Sequence, residues 1–312
     1  DAEKYDSLKK FKSLVSKISD DITLFENVTE ASKFTNKDSM MYPISDFLKI
    51  LEGRTVYAPL IMKMVRIHEK ALITKNIKAI NKLREYLRAV ETFEVRFQVV
   101  SYRGQSLSEK FTSVTRQLDD LTTPSELFEM MTNNEGSLSI STIDAFERSL
   151  NNASLQNKVA SIMSLRIENF LRFGGFEYSK DDEFVGYYQR VSREHIMPVK
   201  YGKHWLDDLR QWVEESAHEI LDEEIKRTSN LIGNSIIAPD WKNSEWGNLS
   251  FSEKWKKYTK NNVIPSLYLF QGFEYNDIVL KPIEEHTKFT PNLIDERTQE
   301  IAKLAKIIWK DM

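Results

Sequence analysis

The sequence predicts a mainly α-helical protein whose C-terminal part also contains short strands. Apolar residues recur every three or four positions through most of the first 170 residues, and strand-like alternation is scarce there. Helix-start signals precede several of these segments. The 312 residues are enough for about two domains. Gly174-Gly175 and a polar stretch after it place the boundary near 175–185, which gives domains 1–180 and 181–312.

The first domain is predicted to contain one helix after another. Its clearest apolar stripe consists of Ile77, Ile80, Leu83, Leu87, Val90, Phe93, Phe97 and Val100. Capping signals at Ser106 and Thr123 start two more helices. Further helical patterns cover 7–19, 55–74, 140–151 and 154–173. There is no Gly-rich phosphate-binding loop, so we predict no nucleotide site in this half.

The second domain is predicted to combine short strands with helices. Apolar segments at 191–196 and 231–237 flank an acidic amphipathic helix over about 203–229. A lysine-rich helix follows at 250–260, then a loop with Pro265, Gly272 and Pro282, then a last helix from Pro291.

Composition excludes several kinds of site and location. The chain has no cysteine, so a metal would be held by oxygen or nitrogen, which favours hard ions such as Mg²⁺. No apolar run reaches the ~18 residues of a membrane span, and no signal peptide is visible, so we expect a cytoplasmic protein. The net charge of −3 by itself argues against nucleic acid as a partner. The first residue, Asp1 rather than Met, suggests a fragment.

His195 is the one of five histidines with a suggestive context. It lies in Arg193-Glu194-His195-Ile196-Met197-Pro198, which puts a carboxylate and an imidazole at a strand end. Downstream, Asn234, Asn243, Asn248 and Lys254 follow at intervals of nine, five and six residues. Taken singly, the asparagines fit turns and caps, and Glu194 fits a partner for Arg193 or Lys200.

This ordered set resembles the HNH, or His-Me finger, nucleases, and most closely the C-terminal nuclease domain of GmrSD-type modification-dependent restriction enzymes. The family pattern is [Asp/Glu]-His-Ile-x-Pro, Leu-Gly-Asn-Leu-Thr-Leu, two asparagines, Phe-x-x-Lys, and a last helix matched here by Ile294, Arg297 and Trp309. Tyr57-Ala58-Pro59-Leu60 resembles the segment that precedes this nuclease. The chain departs from the pattern at Ser235-Ile236, and at Glu194, where broader HNH motifs have aspartate.

The resemblance implies a ββα-metal nuclease core embedded in helices. In it, His195 would deprotonate the attacking water, and Asn234 would fix the loop that carries His195. Glu194 and Asn243 would hold Mg²⁺, for which Mn²⁺ can substitute, with Asn248 as an alternative to Asn243. Additional site candidates are Lys254 and Arg297, and candidate DNA contacts are Lys254 and Lys257.

The expected function is that of an endonuclease or nickase on double-stranded DNA, of phage or modified origin, in anti-phage restriction. The family includes relatives that nick in response to phosphorothioate-modified DNA, and the sequence does not decide whether this chain belongs with them. An upstream ParB-like NTP-hydrolysing domain is expected in cis or in trans, and a homo-oligomer is compatible with this interpretation. The alternatives are a catalytically inactive helical module that docks DNA or a partner, and an RNase of the same fold.

Overall fold

The computed structural model describes residues 2–30, 51, 54–74, 77–100, 107–132, 142–175, 191–239, 245–260 and 267–312. These residues are mostly helical, so the predicted mainly α-helical class is confirmed. Among them, none of the helices combines the length and the apolar character that crossing a membrane requires.

The chain divides into two compact units. Unit 1 consists of Asp1–Glu94, Gly104–Ser139 and Met312, and unit 2 of Val95–Arg103 and Ile140–Asp311. The domain boundary predicted near 175–185 lies almost entirely outside the described residues and stays a prediction. Unit 2 also includes residues that precede this boundary in the sequence, because two helices before the boundary belong to this unit.

Unit 1 is built from helices in its described residues. They are α1 (Ala2–Thr29), a 3-10 turn (Thr55–Tyr57), α2 (Ala58–Ile73), α3 (Ile77–Val100, which continues into unit 2), α4 (Leu107–Gln117) and α5 (Pro124–Thr132). Leu83, Leu87, Val90 and Phe93 of the predicted stripe are buried. The helix predicted at Thr123 is confirmed, because Thr123 and Glu126 cap each other and Pro124 begins α5. Ser106 lies outside the described residues.

Unit 2 is centred on two antiparallel strands. Strand β1 (Val191–His195) pairs with β2 (Ser235–Pro239), so that His195 lies opposite Ser235. Helices α6 (Ile143–Leu150) and α7 (Asn157–Phe173) precede the strands, and α7 packs on both of them. The last helix, α12 (Pro291–Ile308), packs on α6 and on the 3-10 turn Ile232–Asn234 that leads into β2.

The segment between β1 and β2 differs from its predicted structure. The expected single helix over 203–229 is instead α8 (Lys203–Trp212), a 3-10 turn (Glu215–Ala217) and α9 (Leu221–Thr228). Buried Leu209 and buried Leu221 would lie about 120° apart around a continuous helix. The break at Val213, whose backbone is extended, lets both side chains be buried.

The residues after β2 correct a second prediction. Helix α10 (Phe251–Thr259) forms as expected, with a capping box between Ser250 and Glu253. The expected loop before the last helix instead contains α11 (Leu267–Gln271) and a hairpin of β3 (Phe273–Tyr275) and β4 (Ile278–Leu280). Its strands are too short for alternation to show, and Asn276 at a φ of 53° makes the tight turn between them.

Candidate active site

Strand β1 separates its functional side chains onto two faces. Because side chains alternate along a strand, Arg193 and His195 share one face and Glu194 lies on the other. Pairing with β2 places Glu194 opposite Ile236 and His195 opposite Ser235, at the end of the ladder. The adjacent carboxylate and imidazole of the sequence therefore point in opposite directions.

Asn234 ties the segment after His195 to the turn before β2. Its Oδ1 accepts a hydrogen bond from Met197 N at 2.8 Å, and its Nδ2 donates to Met197 O and Ser229 O, each at 2.8 Å. The side chain is fully buried. A satisfied buried amide is costly to disturb, so Asn234 holds the two segments in one arrangement.

The imidazole of His195 is half-buried and bonded to Asn230. Its Nε2 lies 3.3 Å from Oδ1 of Asn230. An amide oxygen can only accept, so the proton of the neutral ring belongs on Nε2 and the lone pair on Nδ1. Burial, and next the Arg193 guanidinium, lower the pKa of His195 to about 3. The ring is therefore neutral near pH 7.

Arg193 fixes the turn that carries Asn230. Its guanidinium donates to the backbone oxygens of Leu155, Asn230 and Leu231 at 2.8 to 3.0 Å, and to Ser235 Oγ at 2.7 Å. Burial lowers the pKa of Arg193 to about 10, so the group remains a cation at neutral pH. A fixed positive charge therefore stands on the same strand face as His195.

Glu194 lies in an ion pair inside unit 2. Its Oε1 accepts from Lys254 Nζ at 2.6 Å and from Tyr258 OH at 2.7 Å, and all three side chains are buried. Burial raises the pKa of Glu194, and the Lys254 ammonium opposes that rise. Lys254 also donates to the backbone oxygen of His195 at 2.7 Å. Only 1% of Lys254 is exposed. This buried position is not the surface position that we expected for a residue in contact with DNA.

Of the four remaining predicted site residues, three are described and each lies at a different place. Asn248 accepts from Gly202 N at 3.0 Å, at the start of α8. Arg297 is buried and donates to Gly233 O at 2.9 Å and to Leu269 O at 2.7 Å. It therefore joins α12 to the turn before β2 and to α11. Lys257 is exposed on α10, and Asn243 lies outside the described residues.

Close packing explains why the motif before β2 has a glycine at position 233. A Cβ atom at this position would clash with the backbone oxygen of Ile294 and with Thr298 of α12. Its own amide donates to Thr298 Oγ1 at 3.1 Å. The absent side chain thus lets the turn that contains Asn234 lie directly on the last helix.

These residues fall inside one region of similarity to known proteins. A family model described as GmrSD restriction endonucleases, C-terminal domain, matches residues 140–304, just over half of the chain. The chain belongs to the GmrSD family. This confirms the resemblance drawn from the motifs, and the match lies within unit 2. Neither a search of curated proteins nor a search of solved structures found a match.

The described part of this GmrSD domain does not fit the implied metal site. Glu194 is neutralised by Lys254 and faces away from His195. Among the described residues, no group of three or more His, Asp or Glu side chains is placed to hold a metal ion. The other expected ligand, Asn243, is outside those residues.

Two residues of the candidate site were missed by sequence reasoning. Asn230 precedes Asn234 by four residues, and nothing in its spacing to His195 identifies it, since the two meet only after β1 and β2 pair. Tyr258 could have been found, because it follows Lys254 by four residues and such positions share a helix face.

Proposed function

We propose that the chain hydrolyses phosphodiester bonds of double-stranded DNA, as an endonuclease or nickase that restricts phage or modified DNA. One observation carries the proposal. The imidazole of His195 is neutral, bonded through Nε2 to Asn230, and has its Nδ1 lone pair left to accept a proton. Membership of the GmrSD restriction endonucleases supports DNA as the substrate.

In this proposal His195 acts as a general base. Its Nδ1 takes a proton from a water molecule, whose oxygen attacks phosphorus. The bond from phosphorus to the 3′ oxygen breaks, which leaves a 5′-phosphate and a 3′-hydroxyl once that oxygen is protonated from solvent. The imidazolium that forms is stabilised by Asn230 Oδ1, and it then releases its proton to solvent, which the nearby Arg193 charge favours.

Asn234, Lys254 and Glu194 act in the proposal as positioning residues. Asn234 holds the main chain at Met197, two residues beyond the base. Lys254 joins the Glu194 carboxylate to the backbone oxygen of His195. The end of β1 is thus restrained from both sides, and a base held in one geometry contributes most to rate.

A ββα-metal core and a requirement for Mg²⁺, with Mn²⁺ as a substitute, stay predictions from the resemblance. The pairing of Glu194 with Lys254 favours a folding role for Glu194 over metal ligation. We also retain the expected ParB-like NTP-hydrolysing partner domain as part of the proposal, because a restriction nuclease has to be coupled to recognition of its target.

A supercoiled plasmid tests the proposal, incubated with the chain and either Mg²⁺ or Mn²⁺. We predict that His195→Ala lowers the rate of nicking or cutting by about 100-fold or more, since it removes the base. His286→Ala is the matched control, because His286 is exposed and its Nε2 lies 2.9 Å from the Glu284 carboxylate in a surface loop. Cleavage that His195→Ala leaves unchanged would contradict the assignment.

The same experiment separates the alternatives. A docking module would bind the plasmid without cleaving it in either metal, whereas an equal loss of DNA binding in His195→Ala and Glu194→Ala would favour a folding role for both residues. An RNase would act on a parallel RNA substrate and leave the plasmid intact. The gel also distinguishes nicked circles from linear DNA, which decides between a nickase and a double-strand endonuclease.

A further inference from the structure

Helix α1 displays an apolar stripe in solvent. Its members are Leu8 (52% exposed), Phe11 (62%), Val15 (49%), Ile18 (50%), Ile22 (55%) and Phe25 (41%). They follow one another at intervals of 3, 4, 3, 4 and 3 residues, which is the a and d spacing of a coiled coil. An exposed stripe of this kind marks an interaction surface.

Unit 1 covers only the C-terminal end of α1. Val28 is buried there, and Asp21 forms an ion pair with Arg66 of α2. Residues 6–23 are exposed on every side of the helix. A helix with so little of its surface packed derives its stability mainly from whatever its apolar face binds.

Beyond its first turns, which contain Glu3, Lys4 and Asp6, α1 has its positive and negative charges in separate segments. Over residues 7–17 the charged side chains are Lys9, Lys10, Lys12 and Lys17, and over residues 18–29 they are Asp20, Asp21 and Glu26. Two such helices placed side by side in opposite directions bring each basic segment next to an acidic segment.

The stripe has the matching symmetry. In an antiparallel pair, Leu8 meets Phe25 of the second helix, Phe11 meets Ile22, and Val15 meets Ile18, so one twofold axis satisfies all six positions. In a parallel pair, Asp21 at a g position would instead face Glu26 at an e position, two like charges. We propose that α1 pairs antiparallel with α1 of a second copy of this chain.

Disulfide cross-linking tests the direction, because the chain has no cysteine of its own. The double variant Leu8→Cys/Phe25→Cys is expected to form covalent dimers on oxidation, whereas either single variant is not. Positions 8 and 25 lie about 25 Å apart along one helix, so they cannot bond within a chain. Efficient dimers from the single variants would indicate a parallel pair and overturn the proposal.

Ser13→Cys/Asp20→Cys is the matched control for cross-linking. The two positions are exposed, have the same antiparallel relation as 8 and 25, and lie on the side of α1 opposite the stripe. We expect no covalent dimer from this control. Equal cross-linking of the control and the stripe variant would mean random collision and would reject the pairing.

Sedimentation equilibrium of the whole chain tests the association itself. Ile18→Glu puts a charge into the central layer and is expected to weaken dimerisation by about 30-fold or more. Leu121→Glu, at an 81% exposed leucine outside α1, is the control and should dimerise like the original chain. Circular dichroism checks that both variants stay folded. A chain that is monomeric at every concentration overturns the proposal.

Discussion

The charge state of His195 is controlled by its neighbours. Burial and the Arg193 guanidinium lower its pKa to about 3, below the ordinary value of about 6.5. The folded chain then binds no proton on this ring as the pH falls from about 6.5 to about 3, whereas the unfolded chain does. His195 therefore reduces the stability of the fold as the pH falls through that range.

Proton NMR checks this state directly. We predict that the ring signals of His195 do not titrate between about pH 5 and about pH 8, because the ring is already neutral throughout. The His195→Ala variant identifies the signals by their disappearance. A titration with a midpoint near 6.5 would show that Arg193 and burial do not control the ring.

Asn230 gives a second prediction for a single residue. Asn230→Ala removes the acceptor at Nε2, so both tautomers of the ring become accessible and fewer molecules have the lone pair on Nδ1. We expect kcat for plasmid cleavage to fall by about 10- to 100-fold with little change in KM. The nitrogen chemical shifts of the imidazole should show a mixed tautomer population, which a purely structural role would not produce.

The control for Asn230 is Asn152→Ala. Asn152 is an exposed asparagine just after α6, and its side-chain amide donates to the backbone oxygen of Arg148. Cleavage by this control should equal that of the original chain. Unchanged tautomer signals in Asn230→Ala would refute the role given to Asn230, even if activity fell.

At the level of elements, the ion pair between β1 and α10 joins the strand to its supporting helix. Lys254→Met leaves the Glu194 carboxylate buried without its cation, and we expect a loss of about 3 to 5 kcal/mol in the free energy of unfolding. The double variant Glu194→Gln/Lys254→Met removes both charges and should recover most of that loss. Urea denaturation measures all three proteins.

Lys257→Met is the control for the ion pair. Lys257 lies on the same helix but is exposed, so its substitution should change stability by no more than about 0.5 kcal/mol. If Lys254→Met were as mild as this control, the buried pair would not join β1 to α10. If the double variant were less stable than Lys254→Met, the two charges would not be coupled.

The same elements show which features could be predicted from the sequence. Local signals were sufficient for the cap at Thr123, the apolar stripe of α3 and the two apolar segments that form β1 and β2. The break after α8 could not be predicted, since it depends on which side chains are buried in the folded unit. The buried position of Lys254 depends likewise on β1, 60 residues earlier in the chain.

At the level of the whole molecule, the region recognised as a GmrSD domain begins at the same residue as the longer segment of unit 2, Ile140–Asp311. Helices α6 and α7 thus belong with the strands they support, although their periodicity matches that of the helices before them. The periodicity of apolar residues shows which face of a helix is buried, but it does not show which element that face packs against. For that reason the domain boundary is harder to predict than the helices on either side of it.

Burial also makes the charge at the surface of the chain differ from the charge counted in the sequence. From residue 190 onward the sequence has 18 basic and 20 acidic residues. Arg193, Lys254 and Arg297 are buried, whereas Glu194 is the one buried acidic side chain among the residues described there. The surface of this part is therefore more acidic than the sequence count indicates, and phosphate contacts supply most of the affinity for DNA.

We predict that the chain alone binds a short DNA duplex weakly, with a Kd above about 10 μM at physiological salt. A small number of surface cations releases few counterions, so the affinity should also fall only gradually as salt is raised. Fluorescence anisotropy with the His195→Ala variant measures binding without cleavage, and Lys257→Ala tests whether the exposed lysine of α10 contributes. Submicromolar binding by the isolated chain would contradict this prediction and would remove the need for a partner domain to supply affinity.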